Sequence, residues 1–167
     1  MQKAQAIMHH LTRLVVTDQF LDYFVNDQLT WRTAIGSILL IAEYTTNEGP
    51  HVDDYFVEFW RLENGAILKS HATFYSAGTD AAFAEIAKQL DAALTFDLAG
   101  STEWTSRIMW PPELAGHPYF EFRDVKAANW REKISRRFWG PTKEYLLTEE
   151  VQAFLTNRRL ADPMVCE

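Results

Sequence analysis

From Thr79 onward the apolar residues Phe83, Ile86, Ala87, Leu90, Ala93 and Leu94 return at intervals of three and four, the mark of an α-helix with one buried face. Before Gly78 the period is different. Tyr55 to Leu62 and Ile67 to Tyr75 read as strands around the turn residues Glu63-Asn64-Gly65, which predicts a β-hairpin over about 53–75. A helix with a single apolar stripe has to lie on something, and the strands that precede it supply the surface. The spacing therefore predicts an α+β fold with an antiparallel sheet and an amphipathic helix at about 80–96, capped by Thr79.

Other segments extend this pattern. Leu11 to Val25 is rich in β-branched and aromatic residues and is interrupted at Thr17-Asp18, which predicts two short strands closed by Asn26-Asp27-Gln28. From Leu29 to Tyr44 alternation at Trp31, Thr33 and Ile35 gives way to the run Ile38 to Ala42, the pattern of one strand that becomes fully buried, with a short helix at 31–36 as the rival reading. Thr46 to Pro50 is a loop by its turn residues. Beyond Gly100, Trp104 to Trp110 and Tyr119 to Phe122 read as short strands around Pro111-Pro112. Two further helices are expected: one from Asp124 carrying Ala127, Trp130, Ile134 and Phe138 and stopped by Gly140-Pro141, and one from Thr148 with Glu149 and Glu150 at its positive end and Arg158 and Arg159 at its negative end. No repeat and no long linker divides the chain, so 1–167 reads as a single domain.

Its 167 residues are enough for one ordinary core. No apolar run approaches the ~18 residues of a spanning helix, and Met1 to His10 lack the apolar stretch of a secretory signal, so a soluble, cytoplasmic protein is expected. The lone cysteine, Cys166, can close no internal disulfide. Net charge is −7, and residues 1–99 hold 13 Asp/Glu against 6 Lys/Arg whereas residues 100–167 hold 10 of each. That field repels nucleic-acid phosphates and anionic lipid and favours a basic partner; solubility alone would also account for it.

Three groups of residues invite a chemical reading. His51, Asp53 and Asp54 place an imidazole and two carboxylates in one loop, a set that could ligate a divalent cation; Asp side chains bonded to local backbone N–H groups explain the same letters. Trp104, Trp110 and Trp139 stand near Pro/Gly breaks, where exposed aromatics would suit a protein interface; a second small core is the alternative. Lys126, Lys133 and Arg137 edge the helix from Asp124, with Arg131 and Arg136 elsewhere on it, but the local charge balance argues for a solvated face over a nucleic-acid patch. His9-His10 and His117 read as exposed imidazoles. Nucleophile elbows, phosphate loops, dinucleotide fingerprints and zinc helices are all missing from the sequence, and no cofactor is indicated.

The run Leu29-Thr30-Trp31-Arg32-Thr33-Ala34-Ile35-Gly36-Ser37-Ile38, followed by a hairpin and a helix from Asp80, resembles bacterial pleckstrin-homology-like domains over about residues 12–96. The strand at Asp53-Asp54-Tyr55-Phe56 is likewise similar to that of small uncharacterised bacterial proteins. The first resemblance implies a strongly bent antiparallel sheet closed by an amphipathic helix, and a binding scaffold; the acidity of residues 1–99 argues against an inositol phosphate as its ligand. The expected function is thus a non-catalytic protein-binding module. The rivals are a small metal-assisted hydrolase using His51, Asp53 and Asp54, and an acidic immunity-type inhibitor of a cationic toxin.

Overall fold

In the computed structural model, residues 11–46, 53–124 and 143–161 are described. Strands β1 (Thr12–Thr17), β2 (Phe20–Val25) and β3 (Gln28–Ala34) form an antiparallel meander. Its second turn places Asn26 and Asp27 at φ 50 and 62, the left-handed pair that a two-residue hairpin needs and that Asn and Asp tolerate. Strands β4 (Ile38–Thr45), β5 (Tyr55–Glu63), β6 (Ala66–Thr73) and β7 (Thr105–Trp110) form a four-stranded antiparallel sheet in the order β6-β5-β4-β7. Asn64-Gly65 turns β5 into β6, as the hairpin signature predicts, again with both residues at positive φ. Helix α1 spans Thr79–Gln89, strands β8 (Phe120–Asp124) and β9 (Lys143–Leu147) pair with each other, and α2 (Glu149–Leu160) follows.

The four-stranded sheet is covered on both faces, which is why β4 reads as an unbroken apolar run. On one face, Ile38, Ile41, Val57, Phe59, Ala72 and Met109 meet Leu14, Leu21, Tyr23 and Ile35 from the meander and its exit, and Ala82, Phe83 and Ile86 from α1. On the other, Leu40, Ala42 and Ile108 meet Tyr119, Phe120, Val151 and Leu155. A bulge in the β4–β7 register between Ile41 and Ala42 gives Ile108 to the second core while Met109 and Trp110 both turn to the first.

Thr79 is the first residue of α1 rather than its cap, its Oγ1 donating to the Ser76 carbonyl at 2.8 Å while Gly78 holds the cap position, and two boundaries differ from those expected. The single strand over Leu29 to Tyr44 is broken by a 3-10 turn at Ile35–Ser37, where Ser37 Oγ donates to the Ala34 carbonyl at 2.8 Å. That turn lets the chain leave the meander and enter the second sheet while Ile35 stays in the first core. Helix α1 stops at Gln89, short of residue 96, because Asp91 takes a left-handed φ of 48. Leu94 and Phe96 still pack on the first core, so the apolar periodicity marked burial correctly beyond the point where the helix had ended.

The start of α1 is seated on β1. Ala77 N donates to the Thr12 carbonyl and Leu14 N to the Ala77 carbonyl, both at 2.9 Å. Gly78 has φ +83, and a Cβ there would stand 2.7 Å from the Leu14 carbonyl oxygen; only glycine fits this approach. Helix α2 begins as expected, with Thr148 Oγ1 accepting from Val151 N at 3.4 Å. The helix expected from Asp124, with Trp130, Trp139 and its basic edge, lies outside the described residues, as do His9-His10, His51 and Cys166. No described helix is long and apolar enough to cross a membrane.

Candidate functional site

Alternation along β5 sorts its side chains. Val57 and Phe59 enter the first core, while Phe56, Glu58 and Trp60 share the opposite face, the side on which β8, β9 and α2 lie. A carboxylate therefore stands in an aromatic row, and Glu58 is only 6% exposed. Tyr119, itself buried, donates its hydroxyl to Glu58 Oε2 and accepts a hydrogen bond from Trp60 Nε1 at 2.7 Å. The second carboxylate oxygen, Oε1, is 3.2 Å from Lys69 Nζ, brought there because Lys69 lies opposite Trp60 in the β5–β6 register.

Around this group is a cavity of about 330 Å³, walled by Tyr44, Trp60, Tyr119, Phe120 and Tyr145 and bordered by Leu146 and Leu147 of β9. The rings brace one another: Phe120 lies edge-on to Tyr44 at 5.5 Å and tilted against Tyr119 and Tyr145 at 5.2 and 5.4 Å. These are the offset and edge-on arrangements that aromatic pairs prefer.

Two phenols of the pocket, Tyr119 and Tyr44, are held neutral. Burial, then the charge of Glu58 and the hydrogen bond to it, pushes Tyr119 far above the usual tyrosine range; burial, then Glu58, does the same to Tyr44. On the opposite face burial and the hydrogen bond to Glu43 raise Tyr55. Because the folded state holds these protons more tightly than the unfolded chain, the stability they confer is complete below the ordinary tyrosine pKa of ~10 and is lost as pH climbs above it. For Tyr119 the loss is roughly 1.4 kcal/mol per pH unit, and Tyr55 and Tyr44 add to it over a narrower pH span, because solvent screening reduces their shifts. Urea midpoints should thus hold steady up to about pH 10 and fall steeply beyond it. Phenolate absorbance from these three tyrosines emerging near pH ~10 in a protein still fully folded would contradict the assignment.

A second buried carboxylate, Glu43, has a different setting. It accepts the Tyr55 hydroxyl, Arg107 Nε at 2.8 Å and Asp97 N at 3.2 Å, while Arg107 also reaches Asp97 and, at 2.6 Å, the Thr95 carbonyl. The network ties the segment after α1 to β4 and β7, and every partner named belongs to the chain itself. On the meander, Arg32 grips Asp22 through two parallel bonds of 2.6 and 2.7 Å, a cross-strand ion pair.

Of the residues singled out from sequence, Asp54 accepts the Tyr75 hydroxyl at 2.7 Å and, through its carbonyl, Thr46 N at 2.7 Å. The hydrogen bond to Asp54, ahead of burial, pushes Tyr75 up to about 12. Asp53 is exposed, and among the described residues no three His, Cys, Asp or Glu side chains converge as a metal site would require. Trp104 lies 5.6 Å from the Tyr145 ring, whereas Trp110 packs against the first core; both are partly buried, and they serve different faces. His117 pairs through Nδ1 with Glu150 at 2.7 Å. Sequence reasoning passed over Glu58, Tyr119 and Lys69. The signal was present in part, since strict alternation puts Glu58 between Phe56 and Trp60 on one face, but nothing in the spacing brings in Tyr119. Compared with known proteins, the chain matches no family model, no curated protein and no solved structure.

Proposed function

We propose that the protein is a non-catalytic binding module that engages a basic partner protein through the aromatic pocket over Glu58. The observation that carries this reading is a buried carboxylate on the floor of a cavity with aromatic walls. Ring faces and a carboxylate are both attractive to a cation and repel an anion. The acidic excess of residues 1–99, which supply β1 to β6, points the long-range field the same way. Nor is the group poised for proton transfer: the Tyr119 hydroxyl is committed to Glu58, and Glu58 meets a donor at each oxygen.

The finer fold reading, a pleckstrin-homology-like scaffold, draws support from a three-stranded meander packed on a four-stranded antiparallel sheet with α1 at their junction. Its consequence, a rigid platform for binding, agrees with the pocket. The test is fluorescence anisotropy with labelled lysine-rich, arginine-rich and glutamate-rich peptides at low and physiological ionic strength. Basic peptides should bind, and more weakly as salt screens the field. Glutamate-rich peptides binding equally well, or affinity that ignores salt, would sink the reading.

A further inference from the structure

Lys69 already occupies the pocket in the way a ligand would. Its ammonium lies 3.2 Å from Glu58 Oε1 and 5.7 Å from the centre of the Trp60 ring, so one cation meets both the carboxylate and an aromatic face. It is also a loosely held occupant. Lys69 sits on the edge strand β6, its side chain 48% exposed against 9% for Glu58, so its ammonium can swing out to water provided that an incoming cation takes its place beside the buried carboxylate. Resting on the binding-module reading above, we infer that the pocket receives the side-chain ammonium of a partner's lysine, and that Lys69 is the built-in competitor such a lysine displaces.

The chemistry of the floor selects among cations. Of the two Glu58 oxygens, Oε2 is taken by the Tyr119 hydroxyl, leaving Oε1 as the one acceptor that Lys69 vacates. A guanidinium is best recognised by a fork of two oxygens, whereas an ammonium is a compact charge that can use one. A quaternary ammonium has no N–H for Oε1 to accept. The volume of about 330 Å³ is at the small end of ligand sites, suited to a side chain. An anion attracted to Lys69 would have to approach the Glu58 charge and the negative faces of the rings.

Calorimetric titration of the whole chain with butylammonium, butylguanidinium, tetramethylammonium and butyrate, and with a lysine-bearing peptide and its norleucine analogue, tests this on the native protein, Lys69→Gln and Glu58→Gln. Removing the competitor should tighten both butylammonium and the lysine peptide, by roughly tenfold if Lys69 fills the site most of the time. Butylammonium should bind more tightly than the guanidinium or the tetramethyl ion, the norleucine peptide should lose affinity, and Glu58→Gln should bind no ammonium while keeping the native circular dichroism. Since Lys69 is exposed, its variant is expected to fold even if the Glu58 variant does not. Unchanged or weaker butylammonium binding in Lys69→Gln, or butyrate binding that depends on Lys69, would overturn the inference. If lysine peptides bind the native protein but neither compete with butylammonium nor respond to Lys69→Gln, the inference fails while the module reading stands. Butylammonium binding in the pocket with no basic peptide bound at all would instead reject the protein-partner reading and leave a site for a free amine.

Discussion

Glu43→Ala should destabilise the fold by about 3–5 kcal/mol, the usual penalty for breaking a buried ion pair from one side. The side chain is fully buried and joins Tyr55, Arg107 and the backbone of Asp97. Its removal strands a phenol and a backbone N–H and strips the mostly buried guanidinium of Arg107 of its buried carboxylate, leaving the more exposed Asp97 as its ion-pair partner. Urea denaturation should show the midpoint falling with little change in slope. Replacing both charges by apolar groups, Glu43→Leu with Arg107→Leu, should recover much of the loss, because the desolvation of two ions is then no longer required. A loss under about 1 kcal/mol for the single variant would mean that water shares the network.

Phe83→Ala should cost a similar amount, about 3–5 kcal/mol. Phe83 is 3% exposed, and its ring lies 4.6 Å from Phe96 and 5.9 Å from Phe59, so it joins α1, the segment after it and the four-stranded sheet. Truncation leaves a void among three elements that cannot all close on it. In a thermal melt the midpoint should fall by about 10 °C. Phe83→Leu, which keeps most of the volume, should cost less than the alanine variant, and equal losses for the two would show that the ring contacts contribute little.

Much of this architecture was legible before any coordinates. Asn26-Asp27 and Asn64-Gly65 close hairpins because their residues accept positive φ, and Phe83 and Ile86 mark the buried face of α1 by spacing alone. The end of that helix was not legible, since Leu94 and Phe96 pack on the same core after the chain has left helical geometry at Asp91; hydrophobic period reports burial, and a helix is only one way to achieve it. The turn at Ile35–Ser37 was hidden for a similar reason: Ile35, its first residue, and Ile38, which follows it, are both core residues.

The candidate site was the least legible part. Alternation in β5 is enough to place Glu58 beside Trp60, but its hydrogen-bond partner Tyr119 is 61 residues away and arrives through the loop that follows Pro111-Pro112. The residues that attracted notice, Asp53 and Asp54, are adjacent in sequence and therefore conspicuous, yet among the described residues the side-chain partner that the fold brings to them is Tyr75, which bonds Asp54. Convergence is a property of the fold, and a functional pocket is built from it.

The central claim is that the aromatic pocket over Glu58 is where a cationic partner binds. The indole N–H of Trp60 reports on it directly, because that proton is donated to Tyr119 at the pocket floor. In a two-dimensional ¹H–¹⁵N spectrum, adding a lysine-bearing peptide should shift the Trp60 indole resonance in the native protein and leave it in place in Glu58→Gln. Peptide-induced shifts confined to the meander, with the Trp60 indole unmoved at saturation, would contradict the account.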